Sequence, residues 1–218
     1  MRSLLFLHKE KSKFMTDILY EMACLYSSWK DITYKIVLGR KQKTYELMLH
    51  FPAKSFFHLA GLQHLTDLDF GTKSKAFIFK KILDREITIL DLQKSVFYEE
   101  WNIKNRIANL GLIPDIIELG KAKYLINRNV YKNYTTIKAD YLMEYNIEQR
   151  IFYLFSLIVQ NNPDFANECV CCSFFQKEKV DFTKGTISTK VLLLKKIIHM
   201  GKENEMCQTV YMNPVYVK

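Results

Sequence analysis

The 218-residue chain is 49% apolar, 14% aromatic and 25% charged, which supplies a sizeable core and excludes a disordered chain. No apolar run approaches the roughly 18 to 20 residues that cross a bilayer, and the apolar patch in MRSLLFLHKEKSKF is too short for a signal-peptide core. A formal charge of +9, from 32 Lys and Arg against 23 Asp and Glu, favours an anionic partner such as nucleic acid; the expected setting is the cytoplasm, with no membrane partner.

Along the chain, Phe14, Ile18, Met22 and Leu25 recur at the spacing of an amphipathic helix between Lys13 and Lys30. TYKIVLG and TYELMLHF flank GRKQK and read as two strands joined by a basic turn. Pro52 suits a first helical turn, so a helix is expected from Ala53 to about Leu65, interrupted or ended near Gly61. Thr72 or Ser74 caps a further helix running to about Leu83. DREITILDLQKSVFYEEW makes a loop with a short apolar turn, and Asn102 to Leu119 is helical again, with a break at Pro114. After Gly120, KYLIN, YTTIKADYLMEYN, RIFYLFSLIV, CVCCSFF and KVLLLKKI are β-branched and aromatic runs between turns. The expected class is α+β, with N-terminal helices packed on a C-terminal antiparallel meander of about four to five strands. A single domain spans 1–218: a helical extension over 1–32, a mainly helical part over 33–119, the sheet over 120–200 and a tail over 201–218.

Five cysteines, three of them in CVCC at Cys169, Cys171 and Cys172, do not make a disulfide framework. No partner lies at zinc-finger spacing, so buried free thiols are expected, with no metal and no cofactor. Between Leu119 and Ala139 there is no acidic residue, while Lys121, Lys123, Arg128, Lys132 and Lys138 are interleaved with Tyr124, Tyr131 and Tyr134. Cations for phosphates and rings for unstacked bases are what single-stranded nucleic acid needs; a solvated hairpin with its tyrosines on the sheet is the equal alternative.

The chain has no phosphate-binding glycine loop, paired-histidine zinc motif or nucleophile elbow. What it offers is histidine, lysine, arginine, serine and tyrosine. RNA suits such a set, because its 2′-hydroxyl is an internal nucleophile that needs only proton transfer and charge neutralisation. His58 and His64 are the proton-transfer candidates. On an unbroken helix their six-residue separation turns them about 240° apart, so both face one cleft only if the helix breaks at Gly61. An edge-of-core histidine is the bland alternative.

FFHLAGLQHL, TKSKAFIFKKILDREI, LQKSVFYEE, NRI, IKADYL and CSFFQKEKVDFTKG occur in one order. Together they resemble the fourth phage group of the Barnase–EndoU–colicin–RelE-like nuclease superfold, over residues 33–196. The resemblance implies a metal-independent endoribonuclease of phage or mobile-element conflict, a toxin or effector leaving 2′,3′-cyclic phosphate ends. It implies RNA, tRNA among its kinds, as partner and an antitoxin or immunity protein as a second partner. Carried onto this chain, it implies His58 as general base or acid, with Ser95 and Arg106 positioning phosphate. Lys138, Tyr141 and Ser173 would come from the sheet face. Strand alternation sets Lys138 and Tyr141 on opposite faces, and Ser95 reads equally as a helix cap. A non-catalytic RNA- or protein-binding module is the competing reading, since active residues vary across one fold.

Overall fold

The structure is a computed structural model and describes residues 17–120, 122–126, 135–161, 165–201 and 204–216. It opens with α1 (Ile18–Ser27), whose first amides are capped by the Asp17 carboxylate. β1 (Ile32–Arg40) and β2 (Lys43–His50) form a hairpin whose two loop residues, Lys41 and Gln42, both take positive φ, the backbone that matches strand twist in a two-residue turn. Five helices follow: α2 (Ala53–Leu59), α3 (Lys75–Leu83), α4 (Ile89–Leu92), α5 (Ile103–Ala108) and α6 (Ile113–Glu118). The strands β3 (Ala122–Ile126), β4 (Tyr141–Ile147), β5 (Arg150–Gln160), β6 (Asn167–Gln176), β7 (Thr186–His199) and β8 (Glu205–Met212) complete the chain.

These strands close on themselves. β2 runs parallel to β6, and antiparallel pairing then carries the ring through β5, β4, β3 and β7 back to β1. The result is a closed seven-stranded mixed barrel, with β8 added to β7 as an eighth strand. This corrects the expected fold, which was helices packed on an antiparallel meander of four to five strands. The reason is physical: alternation marks a strand but says nothing about its partner. β7 has 14 residues, enough to pair β3 at its start and β1 and β8 farther along. That length draws the N-terminal hairpin into the ring. β8, in the stretch expected as a tail, is exposed at almost every position, so no buried face imprints a period on its sequence.

The helices and one face of the sheet share a single core. Tyr26 meets Phe51, Phe56 and Phe79 edge-on, and its hydroxyl donates to the Pro52 carbonyl at 3.1 Å. β5 shows the alternation: Phe152 and Leu154 enter this core, while Tyr153 and Phe155 enter a smaller cluster with Ala139, Leu142 and, at its margin, Phe175 and Phe182. Cys169 and Cys171 both belong to the helix-side core, and burial pushes the Cys169 thiol up to about 12. Among the described residues, no helix is long and apolar enough to cross a membrane.

Candidate active site

The two histidines of the central segment are brought to one corner by a break in the chain. α2 ends at Leu59, Gly61 takes φ 79 in the left-handed region, and a 3₁₀ turn over Leu62–His64 follows. Glycine is required there twice over. The left-handed backbone favours it, and a Cβ would lie 2.8 Å from Arg106 Cδ and 2.9 Å from Ile103 Cδ1 of α5. The close approach of α5 therefore depends on the missing side chain. It sets Arg106 near His64, on which Arg106 first and His58 second act electrostatically.

His58, at the end of α2, accepts a hydrogen bond at Nε2 from the Lys75 ammonium at 2.6 Å. Lys75 opens α3, whose start is fixed by the Ser74 side chain accepting from the Phe77 amide. An accepting Nε2 is the bare nitrogen of a neutral ring whose proton sits on Nδ1. Burial first, and the Lys75 charge second, hold His58 below the ordinary histidine value. His64 is pulled down to about 4, by burial and then by Arg106. Its ring lies flat against Trp101, centroids 3.8 Å apart and planes 7° from parallel, and Gln63 Nε2 meets its Nε2 at 3.1 Å.

Arg106 is the unusual member. Its guanidinium stands 5.2 Å over the Phe175 ring, and burial lowers it to about 10, so it stays cationic at neutral pH. Among the described residues its Nη1 is buried with no hydrogen-bond partner, and Gln63 Oε1 is in the same condition. A buried unpaired donor is costly; a donor carrying charge is the kind of group a bound anion satisfies.

The remaining candidates are engaged in contacts of their own. Ser95 donates to Asp67 Oδ1 at 2.5 Å while the Val96 amide donates to Oδ2 at 2.9 Å. The Ser95 bond leads the effects that hold the Asp67 carboxyl below its usual range; the pair ties the loop after His64 to the segment before Trp101. Ser173 is buried opposite Phe155, on the face of β6 that also carries Phe175. Tyr141 lies in the helix-side core, where burial raises its phenol. Lys138 is exposed, and its carbonyl accepts the Cys172 thiol at 3.6 Å. Ala139 and Tyr141, two positions apart, fall in different cores, because β4 begins only at Tyr141, after the bend at Asp140. Lys123 is 2% exposed and donates to the carbonyls of Ile117 and Gly120 at 3.1 and 2.6 Å, closing the end of α6. Burial holds its ammonium down at about 8. Tyr124 is half-buried against the smaller cluster. Lys121, Arg128, Lys132 and Tyr131 lie outside the described residues.

Sequence reasoning missed Lys75, Gln63 and Trp101. It also missed a second histidine pair. Thr33 Oγ1 lies 3.1 Å from His50 Nδ1 and 3.0 Å from His199 Nε2. Each ring's other nitrogen meets a carboxylate: His50 meets Glu168, and His199 meets Glu205 at 2.9 Å. One side chain from each of β6, β2, β1, β7 and β8 forms this belt across the sheet. Thr33 is 2% exposed, which denies it a nucleophile's access. A shallow open pocket lined by Leu68, Phe70, Lys81, Glu86, Asp91 and Lys94 takes in none of these histidines. Among the described residues, no three of His, Cys, Asp and Glu converge as a metal site would.

Against known families, residues 18–208 match the model of phage-Barnase-EndoU-ColicinE5/D-RelE like nuclease 4. Neither the curated proteins nor the solved structures give a match.

Proposed function

This chain belongs to the phage Barnase–EndoU–colicin E5/D–RelE-like nuclease family, and on that premise we propose that its histidine corner cleaves RNA without a metal ion. The observation that carries the reading is Arg106: a half-buried cation whose buried Nη1 has no partner among the described residues, acting on His64, which in turn acts with the His58 that burial and Lys75 hold below its ordinary value. Arg106 anchors the phosphate. The 2′-hydroxyl replaces Lys75 at His58 Nε2, which takes its proton as the oxygen attacks phosphorus. Arg106 meets the charge that grows on the phosphorane. Lys75 gives a proton to the leaving 5′-oxygen, and the bond from phosphorus to that oxygen breaks. The products are a 2′,3′-cyclic phosphate and a 5′-hydroxyl. The proton on His58 then returns to the Lys75 amine across their 2.6 Å contact, restoring both groups.

Cytoplasmic RNA, tRNA included, is the substrate class, and a toxin or conflict effector held in check by an antitoxin or immunity protein is the biological role. The test uses purified wild-type protein, His58→Ala and Arg106→Ala with total RNA in EDTA, with the product ends mapped. Cleavage by wild type alone, leaving cyclic phosphates, supports the reading. Cleavage that persists in His58→Ala, or that EDTA abolishes, overturns it. Folded wild-type protein that binds RNA without cutting it makes the chain a binding module.

A further inference from the structure

Trp101 is 39% exposed even though His64 covers one of its faces. An indole beside a cationic corner, backed by a ring 3.8 Å away, is a ready stacking surface. The neighbourhood is both aromatic and basic: Lys75 reaches within 5.9 Å of the Phe57 ring, and Phe57 stands edge-on to His58. His64 itself is poorly placed for proton transfer, since its Nε2 is engaged by Gln63. Its flat packing instead holds the indole still.

We propose that Trp101, buttressed by His64, is the stacking platform for an unpaired nucleobase next to the scissile phosphate, and that it restricts this nuclease to single-stranded RNA. This rests on the nuclease reading. The physics is that every base has a π-face, which an exposed aromatic ring can cover only once the base has left its own stack. A base in a duplex is covered on both faces by its neighbours and offers nothing to Trp101. Trp101 is a specificity residue here, and His64 positions it; neither moves a proton.

The chain has two tryptophans, and the other, Trp29, is 6% exposed, so ligand-induced changes in indole fluorescence report on Trp101. The probe is a single-stranded oligonucleotide with 2′-O-methyl riboses, which cannot be cut through the 2′-hydroxyl, set against the same sequence as a duplex. Quenching by the single strand and not by the duplex is expected. Trp101→Ala should raise the dissociation constant for the single strand by about 5- to 150-fold, the range for losing one stacked base. Trp101→Phe, which keeps a ring, should restore most of the affinity. On cleavable RNA the loss in Trp101→Ala should appear in KM, with kcat little changed. Equal quenching by duplex, or wild-type affinity in Trp101→Ala, overturns the platform and leaves the cleavage reading standing. Selective quenching by a wild-type protein that cuts no RNA supports the platform and overturns the cleavage.

Discussion

At the scale of single residues, the corner sets stability against function most sharply at Arg106. A half-buried guanidinium whose buried Nη1 has no partner among the described residues costs folding free energy, and replacing such a charge by an apolar side chain of similar reach is often neutral or stabilising. Arg106→Met should therefore melt at or above the wild-type temperature, while cleavage falls by about 10²- to 10³-fold, as when one oxyanion donor is removed. A melting curve and a single-turnover rate on the same sample check both halves. Gly61 gives the opposite pattern. Gly61→Ala forces a left-handed alanine against Arg106 and Ile103 and should cost about 1–3 kcal/mol in chemical denaturation, with cleavage lost alongside.

The histidines give a pH signature whose sign follows from their shifts. The base works when neutral, and His58 titrates below 6.5, so the acid limb of kcat/KM should lie below that value. Lys75→Ala removes a cation that helps depress His58; the limb should move up towards 6.5 even as the maximal rate drops. A limb that stays in place in Lys75→Ala would refute the coupling. The fold responds in the same sense. His64 titrates at about 4 in the folded chain and near 6.5 when unfolded. The unfolded state therefore binds more protons between those values, so stability rises with pH through that window and is complete above it. None of this was legible from spacing alone. A six-residue step from His58 to His64 fits one face or two, and the break at Gly61 decides between them. In FFHLAGLQHL the glycine and the two histidines belong to one piece of geometry, the break between α2 and the 3₁₀ turn. Gln63 and Lys75 lie inside two of the quoted motifs and Trp101 just beyond a third, yet none stands out by residue type, since a glutamine, a helix-opening lysine and a tryptophan in EEW are each ordinary taken singly.

At the scale of elements, the belt through Thr33 shows what a strand-by-strand reading cannot reach. TYKIVLG and TYELMLHF identify β1 and β2 well, and Ser74 gives the start of α3 correctly, because hairpins and caps are written in adjacent residues. The belt instead joins His50 to Glu168 and His199 to Thr33, residues 118 and 166 positions apart, and no local rule connects them. Thr33→Val keeps the shape of the side chain and removes the hydroxyl that both imidazoles share. The expected loss is about 0.5–1.5 kcal/mol, the net worth of a hydrogen bond whose half-exposed partners can turn to water, with amide exchange accelerating in β8 and the adjoining part of β7 before it does in β5. Cleavage should survive, because the belt and the histidine corner draw on different residues.

At the scale of the whole molecule, ring closure governs how the strands depend on one another. Each strand from β1 to β7 has partners on both edges, whereas among the described residues β8 pairs with β7 alone. A closed ring has no edge to lose, while an added strand blunts a site where another chain could pair. Truncating the chain after residue 204 removes β8 and with it the Glu205 end of the belt, yet leaves every pairing of the barrel intact. The shortened protein should keep near-ultraviolet ellipticity and RNA cleavage, melt at a lower temperature, and associate with rising concentration as the edge of β7 from Leu193 to His199 is uncovered. Ending the chain before Thr186 also removes β7, which pairs β1, β3 and β8. That opens the barrel at its seam and should abolish cooperative unfolding. Sedimentation and thermal melts of the two truncations separate a closed barrel carrying an accessory strand from an eight-stranded sheet whose edges are equivalent. If both truncations unfold alike, β8 is part of the barrel's closure rather than an addition to it.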